Sequence, residues 1–164
     1  MNIYTDSDYA GDAVGRKSTS GGCVCIGKHL VRTWAKHQKV TALSSGEAEL
    51  YAVVTASCEG LGVQAYGKDL GVELKGNIYM DSSAALGIVQ RTGVGRMKHV
   101  HTQGLWVQEA HSTGRLGYRK IKGENNPSDI LTKHVSRAIL SKHLYSLNLR
   151  FETGRASLAP KNDS

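Results

Sequence analysis

The fold of this chain is decided by the stretch Ala42-Leu43-Ser44-Ser45-Gly46-Glu47-Ala48-Glu49-Leu50-Tyr51-Ala52. Ser44 and Glu47 have the spacing of a capping box, in which the serine side chain accepts from a first-turn N–H and the glutamate reaches back to the backbone before the helix. This spacing predicts a helix that begins near Ser45. Helical periodicity then places Glu49 nearly opposite Glu47 and on one face with small apolar residues, at Ala52, Val53 and Ala56.

Two interpretations of these glutamates are open on this stretch alone. Glu49 lies on the face of the helix that packs, which is typical of a carboxylate with a chemical role. Both acids also fit a solvated first turn, because the helix macrodipole favours negative charge there. The other acids of the chain have to decide between the two.

The length of the chain, 164 residues, fits one domain with its own hydrophobic core. We expect that domain over residues 1–150 and a flexible C-terminal tail over 151–164, which is polar and has no period. No apolar run approaches the length of a membrane span, and the first residues lack the basic and apolar regions of a signal peptide. We therefore expect no membrane partner.

The charge and the cysteines narrow the function classes further. A formal net charge of +7 favours a polyanionic partner, and the basic residues collect at 16–17, 28–39 and 91–98. Three cysteines, Cys23, Cys25 and Cys58, are odd in number and lack the C-x-x-C spacing of a zinc site. We expect Cys23 and Cys25 to be small core residues of one strand face, in a reducing compartment.

The order of elements predicts a mixed sheet with helices on its faces. A first strand covers residues 3–8, and a hairpin follows, with strands at 22–26 and 30–36 around a turn at 27–29. The capped helix is expected to run to about Cys58 or beyond, because several glycines weaken its later course. Further on we expect strands at 76–81 and 116–121 and helices at 82–90, 99–111 and from Ser136.

Acids stand where the chain leaves this sheet. Asp6 and Asp8 share a face of the first strand. Asp81 stands at the C-terminal end of a strand, where open α/β sheets place ligands, although it would equally serve as the N-cap of the next helix. After Pro127, either Ser128 or Asp129 is expected to cap a helix start.

Four blocks of residues carry a family resemblance, and they occur in the order 4–12, 16–21, 42–49 and 129–133, with weaker blocks at 79–84 and 97–99. They read Tyr-Thr-Asp-Ser-Asp-Tyr-Ala-Gly-Asp, Arg-Lys-Ser-Thr-Ser-Gly, Ala-Leu-Ser-Ser-Gly-Glu-Ala-Glu and Asp-Ile-Leu-Thr-Lys. On these blocks the chain resembles the ribonuclease H domain of a copia-type LTR retrotransposon Pol polyprotein. The resemblance implies an α/β ribonuclease H-like fold. In it, strands 1–3 are antiparallel and strands 1, 4 and 5 are parallel in one five-stranded mixed sheet flanked by helices.

The resemblance also implies a catalytic set of four acids, which are the metal ligands as well: Asp6, Glu49, Asp81 and Asp129. Glu47 is left as the helix cap. The implied cofactor is a pair of Mg²⁺ ions, for which Mn²⁺ can substitute, because hard cations prefer oxygen ligands. By resemblance, Asp6 bridges the ions, Glu49 and Asp81 serve the leaving-group side, and Asp129 serves the water-activating ion. Without metal, at least one clustered carboxyl should have a raised pKa, so that metal binding and activity weaken in acid.

Nucleic-acid contacts are expected beside these acids. At the helix entrance, Ser44, Ser45 and Gly46 are candidates to contact the 2′-hydroxyl that distinguishes RNA from DNA. The phosphate-binding candidates are basic residues on the hairpin side, at Arg16, Lys17, Lys36 and Lys39. Trp34 would either stack on a base or belong to the core, and we expect the core.

Departures from the family pattern concern histidines. Copia-like sequences commonly have Lys-His-Ile-Asp where this chain has residues 98–101, and a proline where His134 stands. Cellular relatives carry a histidine in the loop before the fourth acid, whereas residues 123–128 contain none. Proton transfer would then fall to water or to His134, and we expect His99 and His134 to be surface residues without a ligand role.

The implied function is an endonuclease that hydrolyses the RNA strand of RNA/DNA hybrids by a two-metal-ion mechanism during reverse transcription. We expect a reverse transcriptase domain upstream in the same polyprotein and no small-molecule cofactor. An intracellular location follows, cytoplasmic in a virus-like particle or nuclear. The chain starts only a few residues before Asp6, so we expect a polyprotein fragment or a decayed copy.

Two other classes are weighed against the enzyme. An inactive ribonuclease H-like domain that still binds nucleic acid is the alternative, since a decayed or truncated element would keep the fold. A DNA transposase or integrase fits the block at 16–21 and the acid order Asp, Glu, Asp, Asp poorly. Fold alone does not separate these classes.

Overall fold

A computed structural model describes residues 1–12, 14–93 and 101–151 of the chain. The weak block at 97–99, including Lys98 and His99, lies outside the described residues, as does the expected tail beyond Phe151. The domain boundary near residue 150 therefore stays a prediction. Among the described residues, no helix has both the length and the apolar character needed to cross a membrane.

The centre of the molecule is a five-stranded mixed sheet with the strand order β3-β2-β1-β4-β5. The first three strands pair antiparallel, and β4 pairs in parallel with both β1 and β5. This arrangement confirms the predicted sheet. The strands are β1 (Asn2–Asp8), β2 (Thr19–Ile26), β3 (His29–His37), β4 (Gly76–Met80) and β5 (Leu116–Lys120).

Helices follow the strands at the expected places. Within the described ranges, the α-helices are α1 (Ser45–Asp69), α2 (Ser83–Gln90), α3 (His101–Ser112) and α4 (Arg137–Ser146). Between β5 and α4, the chain forms two short 3₁₀ helices, Gly123–Asn125 and Pro127–Leu131. The acid after β5 therefore lies in a 3₁₀ helix and not in the α-helix that follows.

Helix α1 begins at Ser45, as predicted, and continues beyond Cys58 to Asp69. Its glycines do not shorten it, because a Cβ at Gly60 would lie only 2.4 Å from Ile3 Cδ1, and glycine there lets α1 approach β1 closely. The helix ends where Gly71 takes a φ of 76°, and the N–H of Val72 then donates to the carbonyl of Gly67 at 2.8 Å. This left-handed C′ glycine is the usual way to stop a helix.

Two apolar clusters cover the two faces of the sheet. The larger lies under α1, α2 and α3 and includes Ile3, Leu50, Val53, Ile78, Met80 and Val107. The smaller contains Cys23, Cys25 and Leu147, with Ile130 and Leu131 of the second 3₁₀ helix packed against it. The prediction that Cys23 and Cys25 are core residues of one face is confirmed.

Trp34 is a core residue, as expected, with 5% of its surface exposed. It pairs with Gly22 across the β2–β3 ladder, and a Cβ at Gly22 would lie 2.1 Å from the indole ring. Glycine at this position therefore gives the indole its space. Stacking of Trp34 on a base is excluded by this burial.

Helix caps differ from two of the expectations. Ser82, not Asp81, caps α2, since its side chain accepts from the N–H of Ala85 at 3.2 Å. Asn126 caps the second 3₁₀ helix by accepting from the N–H of Ser128 at 3.3 Å, so capping by Ser128 or Asp129 is wrong. Both corrections leave the carboxylates of Asp81 and Asp129 without a capping role.

Candidate metal centre

Asp6 lies near the C-terminal end of β1, where the central strand leaves the core. Only 2% of the residue is exposed. The Thr132 hydroxyl donates to its Oδ2, and Lys133 Nζ lies 3.5 Å from the same oxygen. A buried carboxylate is thus held by a hydroxyl donor and a cation from the segment after the second 3₁₀ helix.

Glu49 approaches Asp6 from the second turn of α1. The hydroxyl of Ser7 donates to Oε1 of Glu49 at 3.0 Å, which ties the helix carboxylate to β1. Its Oε2 is buried and has no hydrogen-bond partner. A buried carboxylate oxygen without a donor is costly unless a cation or water satisfies it.

Asp81 completes a cluster of three acids at the end of β4. Asp6, Glu49 and Asp81 each offer one carboxylate oxygen, and these oxygens lie within 4.8 Å of one another. A Cβ at Gly123 would lie 3.1 Å from Oδ2 of Asp81, so the loop after β5 passes close to this acid. Parallel pairing of β1 and β4 brings their C-terminal ends to the same edge of the sheet.

Asp129 reaches the same edge from the second 3₁₀ helix, but it is outside the group of three. Lys133 Nζ lies 3.2 Å from its Oδ1. The loop before it is fixed by Asn126, which is fully buried and donates from Nδ2 to the carbonyl of Thr5 at 2.9 Å. The four predicted acids are therefore gathered at one edge, with three in direct proximity and the fourth joined through a lysine.

The pKa values of two acids are raised, as expected for clustered carboxyls. Burial raises the pKa of Asp6 from 3.8 to about 6. Burial also raises the pKa of Glu49 from 4.5 to about 8, with the negative charges of Asp6 and Asp81 adding to it. Both shifts arise mainly from burial, which disfavours the charged form of a carboxyl group.

Glu47 has the separate role that its capping spacing predicted. Its Oε2 accepts from the N–H of Leu43 at 2.9 Å, one residue before the expected capping-box donor, and its Oε1 accepts from the Tyr51 hydroxyl at 3.0 Å. Ser44 caps the helix by accepting from the N–H of Glu47 at 3.2 Å. Both oxygens of Glu47 are thus committed to the protein, unlike Oε2 of Glu49.

The donor set fits a hard divalent cation. It consists of carboxylate oxygens, the ligands that Mg²⁺ and Mn²⁺ prefer, and few other donors are present. The buried Oε2 of Glu49 has no hydrogen-bond partner in the protein and is a ligand atom that a cation would satisfy. Asp6, Glu49 and Asp81 would hold such an ion.

The predicted nucleic-acid contacts lie on exposed surface. Ser44 and Ser45 are exposed at the N-terminus of α1, and Arg16, Lys17 and Lys39 are exposed on the hairpin side. Lys36 is exposed as well, but its Nζ pairs with Glu59 of α1 at 3.1 Å. Lys36 therefore has a partner within the protein that competes with a phosphate, and the contact roles of all six residues stay predictions.

His134 is exposed, as expected. It lines a groove of about 720 Å³ beside the acids, together with Asp8, Thr19, His37 and Lys133. Its position five residues after Asp129 places it near the site without a contact to an acid. The role of His101 stays open, since its side chain lies outside the described part of the chain.

The residues that hold the acids were not predicted from the sequence: Ser7, Asn126, Thr132 and Lys133. Only Lys133 left a signal, since its spacing of four residues from Asp129 is the one at which opposite charges pair on a helical turn. The other three contacts join positions at least 42 residues apart and depend on the tertiary fold.

Comparisons with known proteins agree with this architecture. No protein-family model matches the chain. The retrovirus-related Pol polyprotein from transposon TNT 1-94 of Nicotiana tabacum is 33% identical over 136 residues, which are 82% of this chain and 10% of the relative. That from transposon RE2 of Arabidopsis thaliana is 30% identical over 140 residues, 84% of this chain and 10% of the relative. The chain spans about a tenth of the length of these curated relatives.

Solved structures show the same fold. LC11-RNase H1, isolated from compost by a metagenomic approach, superposes with a TM-score of 0.60 at 17% identity, over 87% of this chain and 96% of that one. The N-terminal RNase H domain of a Mycobacterium tuberculosis protein gives 0.59 at 14% identity, over 88% and 96%. LC11-RNase H1 in complex with an RNA/DNA hybrid gives 0.52 at 20% identity, over 80% and 92%.

Proposed function

Homologues of this chain are the retrovirus-related Pol polyproteins of plant transposons, and its fold is that of ribonuclease H; on this premise we propose that it hydrolyses the RNA strand of RNA/DNA hybrids. The observation that carries the proposal is the convergence of Asp6, Glu49 and Asp81, whose oxygens lie within 4.8 Å of one another. The hybrid bound to LC11-RNase H1 supports this substrate class.

The acids divide the work of holding metal. Asp6, Glu49, Asp81 and Asp129 would hold two ions, with Glu49 and Asp81 serving the leaving group, Asp129 serving the attacking water and Asp6 contributing to both. Bound Mg²⁺ would supply Lewis-acid chemistry at these acids, since such ions can lower the pKa of a water and neutralise charge on a leaving oxygen. Mn²⁺, with similar oxygen preference, is expected to substitute.

Other residues keep these acids in place. The Ser7 hydroxyl fixes Oε1 of Glu49 and leaves Oε2 free to bind. Thr132 donates to Oδ2 of Asp6, which orients that carboxylate and favours its charged form. Because Ser7 belongs to β1 and Thr132 follows the 3₁₀ helix that packs on β2, the acids are held before the substrate binds.

Recognition of RNA is assigned to the helix entrance. The Ser44 hydroxyl accepts from the N–H of Glu47, so its own proton remains available to a 2′-hydroxyl. Ser45 and Gly46, in the first turn, have N–H groups without acceptors inside the helix. These donors adjoin Glu49, and Arg16, Lys17 and Lys39 would contact phosphates on the hairpin side.

We also propose a neighbouring domain and a cellular location for this domain. A reverse transcriptase domain upstream in the polyprotein would generate the hybrid. The site of action would be a virus-like particle in the cytoplasm, or the nucleus.

The test compares three labelled duplexes of one sequence, an RNA/DNA hybrid, an RNA duplex and a DNA duplex, each incubated with the protein and Mg²⁺. We expect cleavage of the hybrid alone, which Glu49→Gln abolishes. Binding of the hybrid without cleavage by the wild type would instead support the inactive nucleic-acid-binding domain. Cleavage of the DNA duplex would contradict the assigned substrate.

A further inference from the structure

Lys133 places a positive charge between two of the four acids. Its Nζ lies 3.2 Å from Oδ1 of Asp129 and 3.5 Å from Oδ2 of Asp6. The N–H of Lys133 also donates to the carbonyl of Asp129 at 3.2 Å, which fixes the lysine backbone beside the acid. The ammonium thus joins the two carboxylates, which come from opposite ends of the chain.

This pairing divides the acids into two groups. Asp6, Glu49 and Asp81 approach one another without an intervening cation, and Oε2 of Glu49 is unpartnered. Among the described residues, Asp129 is not part of that group; the lysine connects it to Asp6. Lys133 therefore places a positive charge between Asp6 and Asp129, whereas the oxygens of Asp6, Glu49 and Asp81 approach one another without such a charge between them.

An ammonium and a divalent ion compete for such a position. The ammonium is a compact point charge with three donors on a flexible stem, so it satisfies carboxylates without fixing their geometry. Its side chain is 43% exposed, compared with 3% for Asp6, so it can swing into solvent while the acids stay in place. The ammonium would repel a divalent ion at the same position until the lysine side chain moves away.

We propose that Lys133 is an intramolecular counter-ion that occupies the second metal position, between Asp6 and Asp129. The first ion binds to Asp6, Glu49 and Asp81, and the second binds only when Lys133 moves away. The lysine is a positioning residue, since it acts through these acids. This inference rests on the proposed two-ion function and adds that the two ions bind with different affinities, for a reason built into the chain.

The test counts Mn²⁺ ions bound to the full chain, without nucleic acid, by calorimetry and by the electron paramagnetic resonance of free and bound Mn²⁺. We expect one ion of higher affinity in the wild type, and a second ion that binds at least about tenfold more tightly in Lys133→Gln. Lys133→Arg keeps the charge and should resemble the wild type. Lys68→Gln, which removes a lysine from the last turn of α1, is the matched control. Superimposable isotherms for Lys133→Gln and Lys133→Arg would overturn the proposal.

Thermal unfolding checks that the Lys133→Gln variant is folded. Without metal, Lys133→Gln leaves Asp6 and Asp129 without their counter-charge, so we expect a lower Tm and a larger rise in Tm on adding Mn²⁺ than in the wild type. If Lys133→Gln does not fold, the Mn²⁺ isotherm of Asp129→Asn tests the proposal instead. This variant should lose binding of the weaker ion only. An unchanged isotherm for that variant would also overturn the proposal.

Hybrid cleavage by the wild type, measured separately, distinguishes the two proposals. Cleavage together with an unchanged Lys133→Gln isotherm would sink the counter-ion and leave the enzyme standing. Absence of cleavage, together with tighter binding of the second ion in Lys133→Gln, would contradict the proposed enzyme and support the counter-ion role of Lys133.

Discussion

At the scale of single residues, two glutamates two positions apart have different surroundings. The capping box identified Glu47 from the sequence, and helical periodicity placed Glu49 on the opposite face. The structure adds that both oxygens of Glu47 accept from protein donors, whereas Oε2 of Glu49 accepts from none. The sequence could not show this difference, because Ser7 reaches Glu49 only through the tertiary fold.

The two glutamates should therefore respond differently to the same substitution. Glu49→Gln is expected to reduce cleavage at least about 100-fold, since a metal ligand contributes several kcal/mol to catalysis, while the fold is retained. Glu47→Gln should keep activity and lose about 1 to 2 kcal/mol of stability, because hydrogen bonds to a buried charge weaken. Single-turnover cleavage and urea unfolding measure both effects. Equal losses of activity would overturn this division.

Thr132 offers a second test at this scale. Thr132→Val keeps the shape that packs on Gly21 but removes the hydroxyl that donates to Asp6. That hydrogen bond lowers the pKa of Asp6, so its loss should move the acid limb of the pH–rate profile upward by about one pH unit. Thr132→Ser, which keeps the hydroxyl, should leave the limb in place. An unmoved limb in the valine variant would exclude the proposed orientation of Asp6.

At the scale of elements, the order of strands and helices predicted a mixed sheet, and the family resemblance implied its strand pairing, but neither showed how the segment after β5 contacts the sheet. The alternation of apolar and polar residues, with turn residues between, predicted the β2–β3 hairpin. The order of a strand, an acid and a helix predicted β4 and α2. The end of α1 was left open by the sequence, because helix propensity counts each glycine as a cost, whereas Gly60 allows close packing on Ile3. A helix start after Pro127 was expected, but not its 3₁₀ form or its cap Asn126, which also donates to the Thr5 carbonyl.

The contact between β2 and this 3₁₀ helix can be tested with one methyl group. A Cβ at Gly21 would lie 2.5 Å from Thr132 Cγ2 and 3.2 Å from the backbone carbon of Leu131. Gly21→Ala should therefore push away the segment that carries Asp129 and Thr132, and reduce cleavage on the order of 100-fold.

The matched control for this substitution is Gly62→Ala in α1. A Cβ there meets nothing within 4 Å, and alanine is the better helix former by about 1 kcal/mol. Gly62→Ala should raise the Tm and keep the cleavage rate. Full activity in Gly21→Ala, measured on the same hybrid, would contradict the positioning of the acids by β2.

At the scale of the whole molecule, the gathered acids oppose folding. The sequence predicted this repulsion from the four aligned acids, but which acids it affects most depends on burial. Asp6 and Glu49 are buried enough to hold protons at pH values where the unfolded chain has released them. A site prepared for cations thus reduces the stability of the metal-free protein.

This cost has a definite pH dependence. The folded pKa values of Asp6 and Glu49, about 6 and about 8, exceed the ordinary 3.8 and 4.5, so the folded state binds more protons and stability falls as pH rises from about 4 to 8. We expect a lower Tm in EDTA at pH 8 than at pH 5, with Mg²⁺ restoring it at pH 8.

Glu49→Gln is the control for that dependence. Burial lowers the pKa of His143, which acts in the opposite direction, so the difference between wild type and Glu49→Gln isolates the carboxyl contribution. The variant should show a smaller fall in Tm between pH 5 and pH 8. Parallel pH profiles for the two proteins would contradict the assigned burial of Glu49.

The most direct measurement follows an RNA/DNA hybrid labelled on its RNA strand, incubated with Mg²⁺ and either the wild-type chain or Asp6→Asn. Asp6 belongs to the cluster with Glu49 and Asp81 and is linked to Asp129 through Lys133, so its loss should remove the metal centre without removing the fold. We expect RNA fragments ending in 3′-hydroxyls from the wild type and an intact strand from Asp6→Asn, at equal hybrid binding. Cleavage by Asp6→Asn at the wild-type rate would contradict the assignment of this acidic cluster as the catalytic centre.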